Sequence, residues 1–191
     1  VKTPNARGRY VRVWRAIRSK QLTLAEVQIE GTLSSAAIAE TVAKGDKKQV
    51  TSLVRSGQLS AEEAMGNAIT NNDASLVEEL LKENKKVTNH QAGLAFNESA
   101  YKKDMAHLMV TKGELSLNKK MLSTAINNRD NKTAFAIIKK ERTLVDKSHV
   151  SIALKNENKD LAYRLMGTGV TVGKAEVKQA VDMGDEAMVR M

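Results

Sequence analysis

The sequence predicts a mainly α chain: an α-solenoid of about six short helix pairs preceded by a short N-terminal β-hairpin. Three observations lead there. The hydrophobic period is 2 from Gly8 to Gly31 and changes to that of helices after Ser34. Over the helical part runs a longer repeat of near 28 residues. A chain of 191 residues with one Pro and no Cys also fits neither a loop-rich all-β domain nor a disulfide framework or thiolate metal site.

The first element is the hairpin, assigned to residues 1–31. Arg9, Val11 and Val13 alternate with Tyr10, Arg12 and Trp14. A polar turn around Arg18-Ser19-Lys20 follows, then a second β-type run from Leu22 to Ile29. Two strands cannot bury a core alone, so this hairpin is expected to lean on something outside itself. The chain opens on Val1 and closes on Met191 within an apolar-periodic segment, and it is expected to be a piece of a longer protein.

The repeats are assigned to 34–191. A small residue followed by an apolar one recurs at Thr41-Val42, Ala68-Ile69, Ala95-Phe96, Ala125-Ile126, Ala153-Leu154 and Ala180-Val181, at intervals of 27, 27, 30, 28 and 27. About twelve positions on comes an apolar pair: Leu53-Val54, Leu80-Leu81, Leu108-Met109, Ile137-Ile138 and Leu165-Met166. Between the two stands Asp46, Asp73, Asp130, Asn158 or Asp185, a side chain able to accept from the free N–H groups of a second helix. In the third unit the same position is Ala100, and Ser99 is expected to cap in its place. Gly45, Asn72 and Gly184 precede the caps and tolerate the left-handed turn that ends a first helix. Each unit is therefore a pair of antiparallel helices with a tight turn. Brief extended links follow, as at Gln58-Leu59-Ser60 and Lys86-Val87-Thr88.

At the residues that pack, the repeat resembles the ankyrin family. Ala68-Ile69, Asn72-Asp73, Val77, Leu80-Leu81 and Asn84 follow the order of an ankyrin unit, as do Ala180, Gly184-Asp185 and Val189. The period is shorter than the family's and the Thr-Pro-Leu-His opening is missing, so the resemblance implies fingers reduced to simple links. A generic helix-pair solenoid is the neighbouring reading. The first region, Gly8 to Val13 with Leu22 to Ile29, is similar to the closing hairpin of discoidin-like, fucose-lectin-type jelly rolls. That resemblance implies a sandwich preceding Val1 and transfers no glycan-binding residue to this chain.

Chemistry is sparse. His90, His107 and His149 fall in different repeats without metal-ligand spacing; His90 and His149, near the starts of first helices, are expected to be solvated. Glu62-Glu63 and Glu78-Glu79 are adjacent pairs that diverge on a helix and favour its positive end. No phosphate loop, dinucleotide turn or nucleophile elbow is present. The chain is therefore expected to be no enzyme and to use no cofactor or metal.

Charge points to partners. The chain carries a formal +9, of which the first 31 residues hold +5 and the repeats +4. The candidate partner or phosphate contacts are Arg9, Arg12, Trp14, Arg15, Arg18 and Lys20. The competing reading packs that hairpin face on a neighbouring domain with its Arg side chains reaching outward. The Lys pairs of the repeats do not alternate with aromatics along the chain, which weakens a nucleic-acid role for them. The expected function is a non-enzymatic protein-interaction or structural module, such as a subunit of a large assembly of the virus or phage type, with neighbouring subunits as partners. The alternatives are nucleic-acid binding through the basic hairpin, or glycan binding by a lectin domain outside this chain. With no signal peptide at Val1 to Tyr10 and no membrane span in the sequence, a cytoplasmic or virion-like location is the most compatible expectation.

Overall fold

The computed structural model describes residues 35–184 together with Glu186 and Arg190. The expected hairpin, its jelly-roll character and the contacts Arg9, Arg12, Trp14, Arg15, Arg18 and Lys20 lie outside the described residues, as does the cap Asp185.

Eleven α-helices make up a helical repeat-like array among the described residues. They are α1 (Ser35–Lys44), α2 (Lys47–Arg55), α3 (Ala61–Thr70), α4 (Ala74–Glu83), α5 (Asn89–Ala95), α6 (Lys103–Lys112), α7 (Lys119–Asn127), α8 (Asn131–Lys140), α9 (Lys147–Lys155), α10 (Lys159–Met166) and α11 (Lys174–Asp182). They alternate between first and second helices of a unit. Each pair packs on itself, α1 on α2 through to α9 on α10. The second helices α2, α4, α6, α8 and α10 then pack in one unbroken row. The first helices form the other row, with α3 on α5, α7 on α9 and α9 on α11.

Helices of seven to ten residues are marginal alone, so their stability comes from this stacking. The layer between rows is thin because it is built on alanine: Ala64, Ala68, Ala92, Ala95, Ala125 and Ala153 are essentially without solvent contact. Their short side chains let backbones approach, and Ile69, Leu81, Met105, Met109, Ile126, Ile137, Leu154 and Leu165 fill the remaining space.

Asp46, Asp73, Asp130 and Asn158 cap their second helices as expected, accepting from the backbone N–H groups of Gln49, Leu76, Thr133 and Leu161. The preceding residue is left-handed at Gly45 (φ 66°), Asn72 (φ 58°) and Gly184 (φ 67°). It is also left-handed at Arg129 (φ 52°) and Glu157 (φ 55°), where the sequence carries no turn residue. There the turn's own hydrogen bonds, Asp130 N to Ala125 O and Asn158 N to Ala153 O, hold an unfavourable conformation.

The third unit corrects two expectations. Ser99 does not cap α6: its own N–H donates to Asn97 Oδ1, and Lys102 occupies the cap position without a side-chain bond to the first turn of the helix. Seven residues, 96–102, separate α5 from α6 where three, 71–73, separate α3 from α4, and cap to cap the third unit is one residue longer, so the register moves by one. The buried apolar pair is Met109-Val110, while Leu108 is only half-buried. A second series of caps opens the first helices, at Ser60, Thr88, Asn118 and Asp146. The links stay short, and a parallel bridge from Lys86 to Glu114 joins two neighbouring ones.

Candidate functional site

The first-helix row is open at two places. α5 makes no contact with α7 comparable to those of α3 with α5 or α7 with α9, and neither does α1 with α3. Between α5 and α7 lies a cleft of about 530 Å³. Ala92, Gly93, Phe96 and Met121 supply its apolar lining, and Asn89, Glu98, Asn118 and Lys120 its polar one. Lys120 and Glu98 pair at 3.4 Å, and both are largely exposed. A second opening of about 470 Å³ lies between α3 and α5, lined by Glu62, Glu63, Gly66, His90 and Leu94 among others.

Both openings contain a mid-helix glycine. A Cβ built on Gly66 or Gly93 meets no atom within 4 Å, and neither residue has a left-handed backbone. A helical Gly costs roughly 0.8–1 kcal/mol relative to Ala. Neither packing nor turn geometry requires one here; what each Gly does is leave its opening wider.

The most chemically suggestive group is Ser123, His149 and Asp146. Ser123 Oγ lies 3.1 Å from His149 Nε2, and Asp146 Oδ1 lies 3.0 Å from His149 Nδ1. Those are the partners of a nucleophilic triad, but backbone groups engage both ring nitrogens as well. The Asp146 backbone N–H lies 3.2 Å from Nδ1. Nε2 lies 3.2 Å from Lys119 O, a carbonyl that can only accept. A general base for Ser123 needs Nε2 unprotonated, which would set two acceptors, Nε2 and Lys119 O, against each other. His149 is also 1% exposed, which corrects the expectation that it is solvated. It closes a capping box at the start of α9 and joins that helix to α7. Asp146 accepts from the Ser148 hydroxyl and from Lys119 Nζ, and these bonds hold its carboxyl well below the usual carboxylate range.

Of the other histidines, His90 is exposed on the α3–α5 opening, while His107 is half-buried on α6. Among the described residues no group of three or more His, Asp or Glu is placed to hold a metal ion, and no helix is long and apolar enough to cross a membrane.

The second-helix row carries ion pairs between repeats. Arg55 pairs with Glu83 across one repeat, and Lys112 pairs with Glu78. Further along, the aromatics stand among the cations, contrary to the reading of the linear sequence. Phe135 on α8 is flanked by Lys132 and Lys139, and Arg164 on α10 lies over its ring with Cζ 4.4 Å from the centroid. Lys132, Phe135 and Lys139 stand on one helix, and Arg164 joins them from the next repeat.

Comparison with protein-family models, curated proteins and solved structures finds no match to this chain.

Proposed function

We propose that this chain is a non-enzymatic protein-interaction or structural module, an ankyrin-like solenoid whose partner docks on the first-helix row. The observation that carries the reading is the break between α5 and α7, with its apolar lining, polar surroundings and a glycine that the fold does not need. The ankyrin likeness is supported by the caps at Asp46, Asp73, Asp130 and Asn158 and by the left-handed residues before them. The N-terminal segment, similar to a discoidin-like hairpin, would join the array to a further domain or to a neighbouring subunit of an assembly.

Filling the cleft tests this. Gly93→Arg places a long side chain where the backbone has room and is expected to leave the melting temperature within a few degrees. Cross-linking in an extract of the source organism should then recover a defined complex with the parent chain and lose it with Gly93→Arg. Recovery of the same complex with both chains, or of none with either, removes the reading.

A further inference from the structure

We infer that the outer face of α8 and α10 binds single-stranded nucleic acid, at a surface separate from the openings of the first-helix row. The charge of the array is unevenly placed. Residues 35–118 contain 10 Lys and Arg against 11 Asp and Glu, whereas residues 119–164 contain 11 against 5. Much of that acidic minority is engaged: Asp130 is buried against Tyr101, and Asp146 holds Lys119 and Ser148.

Several cations are engaged as well. Lys120 pairs with Glu98, Lys140 donates to Gly113 O and Lys159 to Met183 O. Lys132, Lys139 and Arg164 have no carboxylate partner among the described residues, and all three are exposed. Lys132, Phe135, Ala136 and Lys139 stand at i, i+3, i+4 and i+7, one continuous stripe on α8, and none is buried. One repeat later the stripe reads Asp160, Tyr163 and Arg164 on α10, the helix that packs beside α8, with Gly167 at its C-cap. Asp160, the carboxylate on these two stripes, sits in the first turn of α10, where the positive helix end favours it.

The aromatics decide the class of ligand. An acidic protein segment needs only the point charges. This face also offers a guanidinium lying on a ring, exposed and flat, and a second ring, Tyr163, 37% exposed on the next helix. Unpaired bases stack on such planes while flanking lysines meet the phosphates. A duplex keeps its bases stacked on each other and would leave the aromatic part of the surface unused.

The test uses the full chain and a fluorescently labelled oligothymidine, read by anisotropy over a sodium chloride series. Binding should weaken with salt, and joint replacement of Lys132, Lys139 and Arg164 by Ala should lower the slope of log affinity against log salt by about 2. Tyr163→Ala should weaken the oligonucleotide roughly tenfold and leave heparin, a polyanion without bases, unchanged. Asp160→Asn should tighten binding. Arg9, Arg12 and Arg15 changed together to Ala provide the control for the other basic segment. Loss of binding in that variant, with the α8 and α10 variants unaffected, overturns the inference. So does polyglutamate binding that matches the oligonucleotide and depends equally on Tyr163, which would mark an acidic protein as the ligand. Gly93→Arg should leave oligonucleotide binding intact, which separates this result from the docking test above.

Discussion

Tyr101 donates its hydroxyl hydrogen bond to Asp130 Oδ2 at 2.8 Å, from the inserted turn of the third unit to the buried cap of α8 in the fourth. The same Asp130 accepts the Thr133 backbone N–H through Oδ1, so one carboxylate ends a helix and ties two repeats together. Phe96 packs beside the tyrosine, ring centroids 5.9 Å apart. The longer turn that lines the cleft is therefore anchored at its far end.

Tyr101→Phe keeps that ring packing and removes only the bond to a charged acceptor, for an expected loss of about 1.5–3 kcal/mol in urea unfolding. Burial first, and then the Asp130 carboxylate, raise the Tyr101 pKa above its ordinary value. A raised folded-state value means this stabilisation is complete below the unfolded tyrosine's pKa, about 10, and is lost as pH rises toward the folded one. The advantage of the parent chain over Tyr101→Phe should shrink above pH ~10. An advantage that stays constant through the alkaline range contradicts this account.

Asp146 titrates in the other direction. Its carboxyl is held low chiefly by the Ser148 hydroxyl, with Lys119 and the nearby His149 adding to the effect. The contribution is present above the unfolded aspartate's pKa, about 3.9, and is lost progressively as pH falls from there toward the lower folded value. Asp146→Asn should destabilise the chain at pH 6, and the difference should be clearly smaller at pH ~2.5. Denaturant titrations at both pH values measure it, and an equal difference at the two would show that the charge is not what matters.

Glycines in three settings should give three different answers. Gly93→Ala and Gly66→Ala, with open space around the new methyl, should each stabilise by roughly 0.5–1 kcal/mol. Gly45→Ala, at φ +66°, should cost roughly 1–2 kcal/mol. Gly113→Ala has no dihedral problem, but its Cβ would stand 2.7 Å from Met109 O and from Val87 Cγ2, so overpacking should cost roughly 1–3 kcal/mol. Chemical denaturation of the four variants supplies the ranking.

The unglycinated turns give the converse. Arg129→Gly and Glu157→Gly relieve a left-handed conformation at a helix end and should each gain up to about 1 kcal/mol, less the entropy that glycine adds to the unfolded chain. A loss of stability in both would mean that the Arg129 and Glu157 side chains contribute more than their backbones cost.

Local chemistry was legible in the chain. The period of 28, the caps Asp46, Asp73, Asp130 and Asn158, and the turns at Gly45 and Asn72 depend on residues within a few positions of one another, and each is found where the spacing puts it. The first-helix caps were legible too, since Ser60-x-x-Glu63 and Thr88-x-x-Gln91 have the spacing of capping boxes, but the links obscured them. Packing alone set the rest. The Met109-Val110 register follows from how the longer turn before α6 is accommodated, and the α5–α7 cleft from how helices of different repeats stack, which no local pattern encodes. The burial of His149 between α7 and α9, and the meeting of Arg164 with Phe135, join residues about one repeat apart in the chain, and only the stacking distance between helices brings them into contact.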